Sequence, residues 1–201
     1  MMRERVGVIL AGGKSRRMGK EKAFLEIAGV PLIQRTIRAL SPFFLNLAVV
    51  TKDVEPFRFL DGVYRVQDAF TEQHALGGIT TALTAFPGKD CFVFACDMPS
   101  LNPRLIRHML EERSEYDVLA PQSDRGLEPL HAIYTGRCLD RIASCIREKK
   151  WNLEAFVRMC RYRVVGPETV RALDPDGLSF VNVNTPEEFQ KWERGIPQNL
   201  V

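Results

Sequence analysis

A loop near the start of the chain combines glycines with a dense group of cations. It runs Leu10-Ala-Gly-Gly-Lys-Ser-Arg-Arg-Met-Gly-Lys-Glu-Lys22. Gly12 and Gly13 have no Cβ, so the backbone can approach a ligand closely and point its amides at an anion. Five cations and one acid follow between Lys14 and Lys22. These residue types together predict a polyphosphate site, and a plain glycine-rich turn between a strand and a helix is the alternative.

The spacing in this loop excludes two common phosphate-binding patterns. A Walker A loop has four residues between its glycines, whereas five separate Gly13 from Gly19. In addition, Glu21 stands where Ser or Thr should follow the lysine. The Gly-x-Gly-x-x-Gly fingerprint of dinucleotide-binding folds is also absent. The loop therefore predicts a different kind of nucleotide site.

A carboxylate follows the most apolar segment of the chain. Cys91-Phe-Val-Phe-Ala-Cys96 is uniformly apolar, which is typical of a parallel strand covered on both faces, and Asp97-Met-Pro99 comes directly after it. Carboxylate oxygens suit hard divalent cations, and a polyphosphate needs its charge neutralised. Asp97 is therefore a candidate magnesium ligand. The alternative is a turn or helix-capping aspartate before Pro99.

Hydrophobic periodicity predicts strands that alternate with helices along the whole chain. Strands are predicted at 6–10, 47–51, 63–67, 91–96, 117–120, 130–134, 162–165 and 179–183. Helices are predicted at 31–40, 78–86, 103–112, 136–149, 152–160 and 186–194. This alternation indicates one doubly wound α/β domain over 1–195, with a mainly parallel sheet, helices on both faces and a loose tail at 196–201. Ligands of such sheets bind beyond the carboxyl ends of the strands, here after Leu10, Thr51, Gln67 and Cys96.

Composition limits the class of protein. The 201 residues are 45% hydrophobic and 26% charged, which suits one folded domain rather than a disordered chain. The net charge is only +3, so the basic loop is a local feature. Five cysteines without a Cys-x-x-Cys pair predict neither a disulfide framework nor a zinc site. Because no signal peptide or membrane-length apolar run is found, we expect a cytoplasmic protein.

The loop resembles the opening loop of nucleotidyltransferases that bind a nucleoside triphosphate on an α/β sheet. Its form Leu-Ala-Gly-Gly-x-Ser-x-Arg-Met-Gly-x-x-Lys is similar to that of the molybdenum cofactor guanylyltransferase family in particular. The resemblance implies that this loop meets a guanine nucleotide, largely through its backbone, and that Arg16 and Lys22 contact phosphates. The nucleotide-binding residues that it implies here are Leu10, Ala11, Gly12, Gly13 and Lys22.

The same resemblance covers nearly the whole chain and gives roles to later residues. It implies that Asp97 holds Mg²⁺, so that the implied catalytic residues are Arg16, Lys22 and Asp97. It implies that Asp68 lies near the nucleotide, against the alternative of a solvated loop aspartate. The Asn182-Val-Asn184-Thr-Pro segment resembles one near the metal and the pterin phosphate, which suggests Asn182 and Asn184 on the acceptor side. A capping box explains only the Thr-Pro-Glu-Glu that ends this segment.

Several positions depart from the family pattern. Glu21 replaces the usual Asp and keeps its charge. His74 and Ala75 replace the Gly and Pro of a Gly-Pro-Leu-x-Gly turn. Thr51 falls where the family tends to carry Asn, so no role is transferred to it. The segment with His131 resembles one that lines the acceptor side, but we interpret His131 itself as a half-buried histidine with satisfied hydrogen bonds.

The implied reaction is attack by the terminal phosphate of molybdopterin on the α-phosphorus of GTP, with Mg²⁺ as cofactor and pyrophosphate as leaving group. The resemblance implies GTP and molybdopterin as substrates and molybdoenzymes or their chaperones as further partners, with no nucleic-acid or membrane partner. Two alternatives stay open. One is a CTP-dependent cytidylyltransferase that acts on molybdopterin or another phosphate. The other is a non-catalytic nucleotide-binding regulator of cofactor delivery.

Overall fold

The computed structural model describes residues 4–12, 22–27, 29–70, 74–113 and 115–183. The strands of this part are β1 (Arg5–Leu10), β2 (Glu26–Ile27), β3 (Val30–Pro31), β4 (Leu47–Thr51), β5 (Tyr64–Gln67), β6 (Asp90–Ala95), β7 (Val118–Ser123), β8 (Gly126–Leu127), β9 (His131–Tyr134) and β10 (Tyr162–Val165). Its α-helices are α1 (Leu32–Leu40), α2 (Ala75–Ala85), α3 (Pro103–Glu111), α4 (Leu139–Arg147), α5 (Leu153–Met159) and α6 (Pro167–Leu173). None of these helices has the length and apolar character needed to cross a membrane.

Eight strands form one mixed sheet. Their order is β10-β7-β9-β6-β1-β4-β5, with β8 beside β7. Strand β1 is parallel to β4 and β6, β4 is parallel to β5, and β7 is parallel to β10, whereas β9 runs antiparallel to both β6 and β7. The described sheet is therefore mainly parallel, as predicted. Because β4, β5, β1 and β6 are parallel, their carboxyl ends meet at one edge of the sheet, where ligands of open α/β folds bind.

Helices cover both faces of this sheet. Along β6, Phe92 and Phe94 belong to a buried cluster that contains side chains of α1, α3 and α6, whereas Cys91 and Val93 belong to a second cluster with α2, α4 and α5. Successive strand residues point to opposite faces, so this alternation places one helical layer on each side. The doubly wound α/β class is confirmed. Strand β6 is buried at every position, which agrees with the uniformly apolar sequence that follows Asp90.

Most of the predicted elements are present, with small shifts at their ends. The strands predicted at 47–51 and 162–165 have those bounds. The helix predicted at 78–86 begins earlier, at Ala75, because the side chain of His74 caps it. The helix predicted at 136–149 consists of a 3-10 turn followed by α4. The pair β2–β3, the short strand β8 and the helix α6 were not predicted. The helix predicted at 186–194 and the tail at 196–201 lie outside the described residues.

The strand predicted at 179–183 is wrong. A 3-10 helix at Leu178–Phe180 takes its place, and it follows Gly177, whose φ of +62° lies in the left-handed region. The backbone amide of Ser179 donates to Asp174 Oδ2 at 3.0 Å, and the Ser179 hydroxyl accepts from the Asn102 amide at 2.9 Å. The apolar pattern of this segment is typical of a strand. Its backbone instead bonds to side chains, which take the place of the hydrogen bonds to a neighbouring strand.

Candidate active site

A cavity of about 200 Å³ lies at the edge where the parallel strands end. Five of the residues predicted for the site line it: Leu10, Gly12, Lys22, Asp68 and Asp97. They come from the ends of β1, β5 and β6 and from the segment that leads into β2. The structure therefore brings residues from four separate parts of the sequence to one cavity, at the position expected for a ligand of this fold.

The first charged pair in the cavity joins Lys22 to Asp97. Lys22 Nζ donates to Asp97 Oδ2 at 3.1 Å, and the two side chains are 23% and 16% exposed. Lys22 begins a short 3-10 helix, and Asp97 follows β6 directly. Hydrogen bonds continue past the strand ends, since the Cys96 amide donates to Leu10 O at 3.2 Å and Val183 N donates to Asp97 O at 2.9 Å. These bonds fix the backbone that carries the Asp97 carboxylate.

The second charged pair joins Lys52 to Asp68 at the ends of β4 and β5. Lys52 Nζ lies 2.6 Å from Asp68 Oδ2 and also donates to the carbonyl of Phe70. The other carboxylate oxygen of Asp68 accepts from the Thr81 hydroxyl at 3.0 Å and from the Phe70 amide at 3.1 Å. The Asp68 side chain is only 8% exposed. The solvated-loop interpretation of Asp68 therefore does not fit, because the carboxylate is held on both oxygens.

Lys52 lines the cavity and was missed by sequence reasoning. That reasoning had considered Thr51, which is buried and donates its hydroxyl to the carbonyl of Asp53 at 3.2 Å. The Thr51 hydroxyl therefore has a structural partner, and the next residue, Lys52, supplies a side chain to the cavity lining. The signal that could have found Lys52 was a cation placed directly after a predicted parallel strand.

His74 and the start of α2 close another side of the cavity. His74 Nδ1 accepts from the Gly77 amide at 2.8 Å, which caps the helix. Its ring stacks on Trp151, with 4.0 Å between the ring centroids and 17° between the planes. A Cβ at Gly78 would lie 3.0 Å from a methyl carbon of Leu10, so glycine at this position lets α2 pack closely against the end of β1.

Other predicted residues lie elsewhere. Ala11 is buried and donates its amide to the carbonyl of Val50 at 2.9 Å, so this amide already has a backbone partner. Asn182 is exposed, and the cavity lining does not include it. Gly13, Arg16 and Asn184 lie outside the described residues.

The interpretation of His131 as half-buried and satisfied is wrong. His131 is fully buried, and neither ring nitrogen has a hydrogen-bond partner among the described residues. Its ring meets Phe94 and Phe180 edge to face, with centroid distances of 5.0 Å and 5.5 Å. Burial lowers the pKa of His131 from 6.5 to about 3, so the ring is neutral at physiological pH. The residue is therefore part of an aromatic cluster.

The carboxylates of the described residues do not form a preassembled metal cage. Within these residues, no group of three or more His, Cys, Asp or Glu side chains could hold a metal ion. Asp68 and Asp97 both line the cavity, but Asp68 is held on both carboxylate oxygens by Lys52, Thr81 and the Phe70 amide, so Asp97 is the single carboxylate considered for a metal. A single carboxylate suits Mg²⁺ that arrives with substrate phosphates and keeps several waters, because Mg²⁺ is seldom held by an all-protein cage. The donor set therefore fits a metal shared with a nucleotide.

Comparison with known proteins gives one consistent result. Residues 7–186 match the family model of the MobA-like NTP transferase domain. The chain is 37% identical over 190 residues to a probable molybdenum cofactor guanylyltransferase of Pelotomaculum thermopropionicum, covering 94% of this chain and 92% of the relative. It is 33% identical over 193 residues to the molybdenum cofactor guanylyltransferase of Desulfosudis oleivorans, covering 94% and 95%. The crystal structure of molybdopterin-guanine dinucleotide biosynthesis protein A from Archaeoglobus fulgidus is similar, with a TM-score of 0.80, 27% identity and coverage of 94% and 97%.

Proposed function

The chain belongs to the family of MobA-like NTP transferase domains, and on this premise we propose that it transfers GMP from GTP to the phosphate of molybdopterin. Pyrophosphate leaves, and the product is the guanine dinucleotide form of the molybdenum cofactor. The observation that carries the proposal is the pair Lys22–Asp97, joined at 3.1 Å in the cavity beside Gly12. A cation, a carboxylate and a glycine backbone at the end of β1 are the groups that a nucleoside triphosphate and its metal need.

The reaction needs positioning and charge neutralisation more than proton transfer. A bond forms between a phosphate oxygen of molybdopterin and the α-phosphorus of GTP, and the bond from that phosphorus to the bridging oxygen of pyrophosphate breaks. The attacking phosphate oxygen is already anionic, so it needs no strong general base. Lys22 binds the phosphates and offsets charge that moves onto the leaving pyrophosphate. This role agrees with a cavity whose charged lining consists of lysines and aspartates.

Asp97 is the residue that we propose for Mg²⁺. When bound, Mg²⁺ neutralises phosphate charge and polarises the phosphorus that is attacked. The Asp97 carboxylate would hold the ion from the protein side, and substrate phosphates would supply further oxygens. In the present structure, Lys22 Nζ donates to the same carboxylate at 3.1 Å, so the proposed phosphate-binding residue and the proposed metal ligand are neighbours.

The second pair is proposed to face the nucleoside. Lys52 and Asp68 follow β4 and β5, whereas Asp97 follows β6, on the other side of β1. Strands in a sheet are about 4.8 Å apart, so the three steps from β6 to β5 span roughly 14 Å. A nucleotide placed along this edge, with its phosphates beside Lys22, extends its sugar and base towards Lys52 and Asp68.

Other parts of the proposal rest on the sequence. We propose Arg16 and Gly13 as phosphate-binding residues and Asn182 and Asn184 as acceptor-side residues. The catalytic domain is proposed to span 1–195. Molybdoenzymes or their chaperones are proposed to receive the product, and the cytoplasmic location stays a prediction.

A single experiment tests the function and its alternatives. The purified protein is incubated with molybdopterin, Mg²⁺ and each of GTP, CTP, ATP and UTP, and product mass and released pyrophosphate are measured. We expect a GMP–pterin product with GTP and much less product with the other three nucleotides. Preferential CMP transfer would identify a cytidylyltransferase. Nucleotide binding without any pyrophosphate release would favour a non-catalytic regulator.

A further inference from the structure

The turn between α4 and α5 reaches the start of α2 through an aromatic contact. The half-buried ring of Trp151 stacks on His74, with 4.0 Å between the ring centroids and 17° between the planes. Among the described residues, the cavity lining includes His74 but not Trp151. The stack therefore joins a wall of the cavity to a segment that lies outside it.

His74 begins α2 with an uncommon kind of cap. Its Nδ1 accepts from the Gly77 amide at 2.8 Å, in the place where helices prefer the short side chains of Ser, Thr, Asp or Asn. An imidazole makes this bond only when its ring plane is correctly set, and the stack on Trp151 sets that plane. A Cβ at Gly77 would lie 3.0 Å from His74 Cε1, so the ring is also packed tightly against the first turn of α2.

The start of α2 is one wall of the cavity. Besides His74, it contributes Ala75 and Gly78 to the lining. A Cβ at Gly78 would lie 3.0 Å from a methyl carbon of Leu10, which also lines the cavity. Because the helix and the strand end are packed this closely, a shift of the first turn of α2 changes the width of the cavity.

Trp151 is itself fixed by the helices on either side of it. At the end of α4, the Lys150 amide donates to Cys145 O at 2.9 Å, and at the start of α5, Asn152 Oδ1 accepts from the Ala155 amide at 2.8 Å. Trp151 is thus the single residue between a helix stop and a helix start. Helices α4 and α5 share a buried cluster with α2 on one face of the sheet, so the indole is a stable support for the start of α2.

The wall that Trp151 supports lies at the proposed nucleoside end of the cavity. The His74 ring centroid is 6.0 Å from that of Phe70, whose amide donates to Asp68. Asp68 belongs to the second charged pair, which follows β4 and β5, whereas Asp97 follows β6 on the other side of β1. A nucleotide with its phosphates near Asp97 therefore places its non-reacting part beside this wall.

We propose that Trp151 is a positioning residue for the nucleotide. It holds the His74 ring, and through that ring the first turn of α2, at the spacing that the nucleoside part of the substrate fits. The proposal rests on the proposed function, since it takes the cavity to be a nucleotide site. Loss of the stack loosens this wall and leaves the groups around the reacting phosphates in place. The effect is therefore expected on KM rather than on kcat.

The kinetic test compares two substitutions of Trp151 with a matched control. Trp151→Leu keeps an apolar side chain but cannot stack, whereas Trp151→Phe can. We expect Trp151→Leu to raise the KM for GTP about fivefold and to change kcat less than about twofold. Trp151→Phe should stay within about twofold of the wild type in both constants. The control is Tyr162→Leu, which removes another partly exposed ring from β10, the edge strand farthest from β5.

The control and the phenylalanine variant separate positioning from a general loss of stability. Tyr162→Leu should have wild-type kinetics. All rates are measured well below the melting temperature of each variant and are given per folded molecule. A KM in Trp151→Leu equal to that of Tyr162→Leu would overturn the proposal. So would a loss confined to kcat.

A double-mutant cycle tests whether Trp151 acts through His74. His74→Asn removes the ring and keeps an acceptor for the start of α2, because asparagine is among the best N-cap residues. In that background, Trp151→Leu should raise KM by less than about twofold further, since its partner is already gone. Effects on KM that simply multiply would show that Trp151 acts by another route and would overturn the proposal.

A binding measurement distinguishes failure of this proposal from failure of the proposed function. Affinities for GTP and CTP are measured by calorimetry in the absence of molybdopterin. If one nucleotide binds and Trp151→Leu weakens its affinity about fivefold, but no transfer occurs in any variant, the proposed reaction is refuted and the positioning role is supported. Transfer of GMP with a normal KM in Trp151→Leu would support the reaction and refute the positioning role.

Discussion

Lys22 Nζ and Asp97 Oδ2 lie 3.1 Å apart, although the residues are 75 positions apart in the sequence. The glycine-rich loop and the strand end that carry them form separate sequence motifs, and the parallel pairing of β1 with β6 brings the two motifs together. A cation and a carboxylate at this distance partly neutralise each other. This relationship leads to the first two predictions.

Asp97→Asn should lower turnover at least about a hundredfold, because losing a metal ligand can raise the barrier by several kcal/mol and each ~1.4 kcal/mol is tenfold in rate. The substitution keeps shape and removes charge, so the melting temperature should stay near that of the wild type. Raising the Mg²⁺ concentration should recover part of the loss. A clear drop in melting temperature with little change in rate per folded molecule would instead make Asp97 a turn residue. Both quantities are measured on one preparation.

Lys22→Ala should raise the KM for GTP and lower kcat, because a lysine that meets the phosphates before and during the reaction contributes to both. Lys89→Ala is the matched control, since Lys89 makes an ion pair with Glu4 at the surface, away from the cavity. Initial rates over a range of GTP concentrations give the two constants. Equal behaviour of the two variants would contradict the phosphate-binding role of Lys22.

Lys52→Met should destabilise the fold by roughly 1–2 kcal/mol and weaken GTP binding, because the nearly buried Asp68 carboxylate loses its cation. The loss is moderate since Asp68 keeps hydrogen bonds from Thr81 and from the Phe70 amide, and Lys52 is one-quarter exposed. Adding Asp68→Asn to Lys52→Met should recover part of the stability. Urea unfolding of both variants checks this coupling, and strictly additive losses would speak against it.

His131 should make the fold sensitive to acid. Its folded pKa, about 3, lies below the ordinary value of 6.5, so the unfolded chain binds the proton more readily. The contribution of the neutral ring to the free energy of unfolding is complete above pH ~6.5. It decreases, by up to about 1.4 kcal/mol per pH unit, as the pH falls towards 3. His131→Leu should remove this dependence. The free energy of unfolding is compared at pH 7.5 and pH 4.5, and an identical pH slope in the two proteins would refute the assignment.

Lys149→Gly should stabilise the protein by about 0.5–1 kcal/mol, because glycine relieves the left-handed conformation that a side chain disfavours. Among the described residues, Lys149 is the only non-glycine with positive φ. Lys150→Gly is the control, since Lys150 is not in that region; the change adds freedom to the unfolded chain and removes an exposed ion pair with Glu148, so it should destabilise slightly. Thermal unfolding of both variants measures the difference. A lower melting temperature for Lys149→Gly would show that the lysine side chain makes a compensating contact.

The strand-end positions of the site could be predicted because they are local in sequence. Gly12 and Asp97 each follow an apolar run directly, and a parallel sheet gathers such ends at one edge. The resemblance added Lys22 and Asp68, and the structure places both in the same cavity. The order of elements likewise fixed the α/β class, since alternating strands and helices have few packing solutions.

The contacts between distant residues could not be predicted in this way. The stack of His74 on Trp151 joins segments that no periodicity relates. The burial of the His131 ring depends on its contact with Phe180. Phe180 lies on a segment that was wrongly predicted as a strand. The direction of β9 was also hidden, because an apolar run looks the same whichever way the strand runs. Such features depend on the path of the whole chain through the sheet.

The reversed direction of β9 places the connection that precedes it beside the cavity. Because β9 runs against β6, its beginning reaches the edge of the cavity, where Leu130 O accepts from the Ala95 amide at 3.2 Å. The connection that precedes it, from β8 at Gly126–Leu127, thus brings Leu130 to the wall of the cavity without belonging to any parallel crossover. Insertions there would reshape that wall while the pairings of β1 with β4 and β6 stay intact. Such insertions would change the cavity lining next to the end of β6 without changing strands β1, β4 and β5.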